Sequence, residues 1–238
     1  MSARRMLVVG AHSADFVWRA AGAIAKHTSA GGEAIVVALS YGERGESGAL
    51  WKEPGQTEAN VKRIRHEEAE KAAKAVGASF QGFDFGDYPL DVGPERVDRL
   101  VELMRDFAPN VVLTHPDKDP FNPDHPVAYQ TVVRARLLTS GAGVDSGFRT
   151  AKPSEFLVFE PHQPELCGFM PQVYVDITSV IDAKKEAMEA MAAQVYLREY
   201  YGQRAEHRAN HARKVTGNAE IRYAEAFQRI VPNVVDAL

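Results

Sequence analysis

Two histidines and a carboxylate stand where apolar runs of the chain give way to loops. The first run closes in Val8-Val9-Gly10-Ala11-His12-Ser13-Ala14-Asp15, with His12 and Asp15 three positions apart. A second segment repeats the design: Val111-Val112-Leu113-Thr114 leads into His115-Pro116-Asp117, then Phe121-Asn122-Pro123-Asp124-His125-Pro126. Together they could supply His, Asp and His to one cation. Imidazole and carboxylate, with a position left open for water, suit zinc. Two histidines and one carboxylate also make the non-haem iron triad, so an iron(II) oxygenase is a second reading; the β-sheet context usual for it is absent here. A nicotinamide site is rejected, because Gly10-Ala11-His12 is not a Gly-x-Gly-x-x-Gly turn and an imidazole would crowd a pyrophosphate.

Positioning these groups requires strands that end on one edge. Apolar runs predict strands over residues 6–9, 34–39, 79–85, 110–113 and 156–159, with an edge strand over 173–176. Helical patterns fall over 16–30, 57–76, 93–107 and 126–138. A long helix is expected from 179 onward, then a polar tail that turns helical again over 223–230. Alternating strands and helices imply an α/β fold: a Rossmann-like three-layer arrangement with a mostly parallel sheet and the site at the C-terminal ends of the strands. Segments 42–55, 116–126 and 140–153 carry the Gly, Pro, Asp and Ser of loops. The first two hold candidate site residues; the third is either a lid or a plain connection.

At 238 residues the chain fits a single catalytic domain over 1–238. A formal charge of −4 argues against a nucleic-acid footprint, so an anionic substrate has to be captured locally. One cysteine, Cys167, rules out an internal disulfide and a structural thiolate zinc site. The apolar run after Arg4 and Arg5 is too short for a signal segment, and no stretch is long enough to span a bilayer. The expectation is a cytoplasmic protein without membrane or nucleic-acid partners. An apolar stripe on the helix after 179 (Ala187, Met188, Met191, Ala192) is compatible with a homo-oligomer.

The chain resembles the PIG-L/LmbE-like zinc de-N-acetylases. Their first motif, Ala-His-Pro-Asp-Asp, stands here as Ala11-His12-Ser13-Ala14-Asp15, and their second, His-Pro-Asp-His, as Asn122-Pro123-Asp124-His125. The likeness continues in the Gly-Glu loop Leu39-Ser40-Tyr41-Gly42-Glu43-Arg44-Gly45-Glu46 and in an Arg-x-x-Glu helix from Arg65 to Gly77. It ends in Val175-Asp176-Ile177-Thr178 and Ala224-Glu225-Ala226-Phe227. The resemblance implies Zn2+ held by His12, Asp15 and His125. Singly, His12 could cap a helix, Asp15 could be a first-turn carboxylate and His125 a packed loop residue; jointly, in this context, they read as ligands. Asp124, beside a ligand, could orient an imidazole.

Two departures carry information. The family's general base corresponds to Ala14, and the first His of the second motif to Asn122. A methyl group accepts no proton, and losing one acid/base group removes about 10²–10⁴-fold of rate. Efficient amide hydrolysis by the family mechanism is therefore not expected. The variant motif and the whole-length likeness resemble the family's 4-oxalomesaconate (4-carboxy-2-hydroxymuconate) hydratase subgroup, which implies water addition to a small tricarboxylate from gallate or protocatechuate ring cleavage, giving 4-carboxy-4-hydroxy-2-oxoadipate.

New proton-transfer residues are then needed. Glu46, after the second strand, and His162, in the turn after 156–159, are the candidates, with their acid and base roles left open. Glu43 is the rival of Glu46, and a turn-capping role the alternative for His162. Substrate-facing candidates are Arg44, which suits a carboxylate, Asn122 and His115, with Asp117 at lower rank. The Arg-, Tyr- and His-rich stretch 196–214 reads first as a solvated face and second as a lid. A zinc de-N-acetylase that recruits another base, such as Glu46, is the competing function.

Overall fold

The computed structural model describes residues 3–144, 147 and 149–234. Seven strands form one sheet: β1 (Arg5–Gly10), β2 (Glu33–Ala38), β3 (Ser79–Gly82), β4 (Val111–Thr114), β5 (Glu155–Phe159), β6 (Val173–Asp176) and β7 (Ala224–Arg229). Their order is β3-β2-β1-β4-β5-β7-β6. The β3-β2-β1-β4-β5 portion is parallel, and β7 runs antiparallel to both β5 and β6. Among the described residues six α-helices complete the fold: α1 (Asp15–Ser29), α2 (Glu58–Ala75), α3 (Pro94–Phe107), α4 (Asp124–Ser140), α5 (Ile181–Ala190) and α6 (Leu197–Thr216).

Leu7, Val8 and Val9 are fully buried, as a strand covered on both faces requires. Their alternation divides the core. Met6 and Val8 join the cluster under α1 and α2, while Leu7 and Val9 join the cluster under α3 and α4. Chain order reverses between β1 and β4: β2 and β3 lie to one side, β5 to the other. Loops leaving β1 and β4 therefore diverge and open a crevice at the carboxyl edge, where ligands bind in sheets of this kind.

Three expectations need correction. The helix expected over 223–230 is instead strand β7 (Ala224–Arg229). The run Ala224-Glu225-Ala226-Phe227 is rich in helix formers, but its place between β5 and β6 outweighs that preference, and the buried Glu225 carboxylate takes Lys184 Nζ at 2.6 Å. The helix after 179 is broken, with α5 stopping at Ala190 and a 3-10 turn at Ala192–Gln194 preceding α6. The polar tail is α6 itself, which ends at Gly217 with φ +71°, the left-handed stop glycine favours. Strand β3 ends at Gly82, earlier than expected. Part of loop 140–153 (Asp145, Ser146 and Phe148) lies outside the described residues. No described helix is long and apolar enough to cross a membrane.

Candidate metal centre and cavity

His12 follows β1, Asp15 opens α1, Glu46 comes from the loop after β2, and His125 stands in the first turn of α4. Ligand-type atoms of these four residues all lie within 4.8 Å of one another. His12 Nδ1 is 3.2 Å from Glu46 Oε1 and 3.7 Å from Asp15 Oδ2. His125 Nε2 is 3.6 Å from Asp15 Oδ1 and 4.0 Å from Glu46 Oε1. Tetrahedral zinc with nitrogen and oxygen ligands about 2.0–2.1 Å away separates those ligands by about 3.3 Å, close to this spacing.

Both facing ring nitrogens, His12 Nδ1 and His125 Nε2, are buried and without a hydrogen-bond partner. A buried polar atom left unpaired is costly unless something else binds it. The opposite nitrogens are held: His12 Nε2 meets Asp124 Oδ2 at 3.2 Å, and His125 Nδ1 meets Asp119 Oδ2 at 2.7 Å. Asp124 is itself fixed by the backbone N–H groups of Tyr88 and Leu90, which donate to it at 2.9 Å. Carboxylates behind imidazoles, with bare nitrogens in front, are the support that metal-binding histidines require.

The charges agree with a cation site. Burial opposes protonation of His12, but Glu46, Asp124 and Asp15 overcome it and raise its pKa well above the usual imidazole value. Burial pushes the Glu46 carboxyl up, and the imidazoles of His12 and His125 outweigh it, bringing it down to about 2. Asp15 is held well below the carboxylate range against its own burial by His115, Arg19 and His125. His115, buried and facing His125, is pushed down to about 3. It is therefore neutral at pH 7, and Arg19, whose Nη1 donates to Asp15 Oδ1 at 2.5 Å, is the standing positive charge at Asp15.

Beside this cluster a cavity of about 320 Å³ is lined by Arg19, Glu46, Tyr88, Asn122, His125, His162 and Tyr201, among others. Gly42, with φ +71°, makes the turn that returns Glu46; a Cβ there would lie 3.2 Å from the Cβ atoms of both His12 and Glu46. Asn122 Nδ2 donates to Glu46 Oε1 at 3.2 Å, and Gln194 Nε2 to Glu46 Oε2 at 3.4 Å. The rival Glu43 turns away to Lys62 and the Tyr41 N–H. His162 stacks on Tyr200, with ring centroids 4.2 Å apart. Its carbonyl accepts from Tyr200 Oη and Arg204 Nη2, while burial and the charges of Arg19 and Arg204 lower its pKa.

Residues 7–136, more than half of the chain, match the family described as PIG-L: GlcNAc-PI de-N-acetylase. The chain belongs to the PIG-L family. The 4-oxalmesaconate hydratase of Pseudomonas putida (strain KT2440) is 45% identical over 235 residues, spanning 98% of this chain and 91% of that protein. The crystal structure of GalB, the 4-carboxy-2-hydroxymuconate hydratase from Pseudomonas putida KT2440, matches with a TM-score of 0.96 at 44% identity and covers 99% of each chain. The 1D-myo-inositol 2-acetamido-2-deoxy-alpha-D-glucopyranoside deacetylase of Rhodococcus jostii (strain RHA1) is 27% identical, over 82% of this chain and 83% of that protein.

Within this PIG-L site, two of the expected substrate-facing residues stand elsewhere. Arg44 is half exposed, pairs with Glu58 at 3.4 Å and does not line the cavity, because its loop is tied down through its backbone N–H to Asp87. His115 is fully buried behind Asp15, stacked on His125 with centroids 3.9 Å apart. Asn122 does line the cavity. Ala14 is fully buried in the core. Arg19, Asp119, Gln194 and Tyr201 were not anticipated. Arg19 was findable, since it sits one helical turn beyond Asp15 on the same face.

Proposed function

We propose that the protein is a metal-dependent hydro-lyase that adds water to the conjugated C=C bond of 4-oxalomesaconate / 4-carboxy-2-hydroxymuconate, in gallate or protocatechuate breakdown. The observation that carries this reading is full-length similarity to a hydratase, combined with a His/Asp/Glu cluster that is intact where the deacetylase base is replaced by the buried methyl of Ala14. Zinc is the proposed ion, held by His12, Asp15 and His125, whose two bare ring nitrogens and ionised carboxylate fit it. When bound, it supplies positive charge that stabilises negative charge developing on substrate oxygens.

The chain's own residues do the rest. Glu46, ionised and steadied by Asn122 and Gln194, accepts a proton from water as the water oxygen bonds to one carbon of the double bond. The proton that Glu46 takes from water is returned to the other carbon by way of His162, so the H and OH of one water both end in the product. Tyr200 and Arg204 hold the His162 loop for that step. The catalytic unit is the single domain 1–238, cytoplasmic and homo-oligomeric, with a small tricarboxylate as its partner.

The test is ultraviolet absorbance of zinc-loaded protein mixed with enzymatically prepared ring-cleavage product. Bleaching of the conjugated chromophore that chelation abolishes, with a product heavier by one water, is expected. Absence of bleaching, with acetate released from an N-acetyl panel, would establish the deacetylase instead.

A further inference from the structure

The cavity beside the metal cluster is negative: Glu46 and Asp119 line it, and Arg19 is the one Lys or Arg side chain among its described lining residues. Arg19 is nine-tenths buried, and only part of its guanidinium is used. Nη1 donates to Asp15, while Nε and Nη2 meet no acceptor in the protein, and Nε is fully buried in that state. If holding Asp15 were the whole task, a single donor would suffice. The guanidinium carbon also lies 5.8 Å from the centre of the Phe159 ring, which gives the group an aromatic face to rest on.

We infer that Arg19 receives a substrate carboxylate, and that this contact fits a PIG-L metal cluster to a polycarboxylic acid. The inference rests on the proposed hydratase reading and deepens it. With Nη1 on Asp15 and Nε buried, Nη2 is the donor left to meet a carboxylate oxygen, a hydrogen bond that is charge-assisted on both sides. Because Nη1 is anchored on Asp15, Nη2 is held at a fixed place beside the metal cluster. One carboxylate on Arg19 then sets where the rest of the acid reaches the cluster, Glu46 and His162. A neutral sugar amide has nothing to offer this group and would leave it unpaired.

The probe is tricarballylate, a saturated tricarboxylate that cannot be hydrated. Its Kd is measured by calorimetry on zinc-loaded wild type, Arg19→Gln and Arg19→Lys, alongside zinc per chain and the KM for hydration. Arg19→Gln should weaken tricarballylate by about 10- to 100-fold and raise KM in parallel, with zinc retained. Arg19→Lys, which keeps a donor for Asp15 but loses the Nη2 donor, should fall between, and it decides the matter if Arg19→Gln sheds zinc or misfolds. A zinc-retaining variant whose Kd and KM stay within about twofold of wild type overturns the assignment, as does a wild type that does not bind tricarballylate. Wild type that binds tricarballylate but hydrates nothing would sink the hydratase reading and leave Arg19 standing. Hydration by wild type with an unchanged Arg19→Lys would do the reverse.

Discussion

Two groups of buried charges sit on opposite halves of the sheet and are treated differently. On the antiparallel side, Lys184 gives its ammonium to Glu225 at 2.6 Å and to the Trp18 carbonyl at 3.0 Å. Glu225 also accepts from the N–H groups of Gly22 and Ala23, and Glu160 is clasped by Arg204 and Arg208. These ions are satisfied within the protein. At the crevice between β1 and β4, His12 Nδ1, His125 Nε2 and Arg19 Nε are equally buried and make no hydrogen bond within the protein, although His12 Nδ1 lies 3.2 Å from Glu46 Oε1. Burial of charge alone therefore does not mark a site. Unpaired buried atoms such as Arg105 Nε and Arg229 Nε also occur singly elsewhere; what sets the crevice apart is two imidazole nitrogens turned to one place, with Asp119 and Asp124 behind their rings.

The comparison breaks first at the cluster: His12→Ala should lose bound zinc and reduce hydration to background, and a variant that is active and zinc-free would refute the ligand assignment. Glu46→Gln should cut turnover by about 10²–10⁴-fold while zinc stays bound, as read by steady-state kinetics beside metal analysis. On the other half, Lys184→Met should cost about 3–5 kcal/mol of stability in urea unfolding, since it strands Glu225, yet leave kcat of the folded enzyme unchanged. Zinc uptake by the stripped protein should strengthen with pH. The carboxylates around His12 raise its pKa and so favour its protonated form, and zinc must displace that proton, so apparent affinity should rise with pH over the range in which His12 titrates. Flat affinity between pH 6 and 8 would contradict this. The smallest effect belongs to Arg44→Ala, whose exposed pair with Glu58 should matter by at most about 0.5 kcal/mol and leave KM unmoved.

The parallel half of the fold was legible because its strands are short apolar runs flanked by turn residues, and the strand-end motifs carried His12, Asp15 and His125 to one edge without any knowledge of contacts. Distinguishing Glu46 from Glu43 was beyond the sequence: both lie in one loop, and only the Gly42 turn sends Glu46 inward. β7 was misread because local composition favours a helix, and its strand state depends on β5 and β6, which are distant in sequence. Gln194 gave no signal, sitting in a stretch that reads as continuous helix. Arg44 stands out in sequence because a Gly-rich loop suggests an approach to ligand, whereas Arg19, inside a helical stretch, gives no such signal.

Asp119, Asn122, Asp124 and His125 fall within the segment 119–125, and each grips a different part of the centre: the His125 ring, Glu46, the His12 ring and the cation's own place. This stretch acts as a gauge whose length is part of its specification. A single inserted residue between Asp119 and His125 would throw several of these grips out of alignment at once. Tolerance to insertion should therefore change abruptly along the chain, lowest across 119–125.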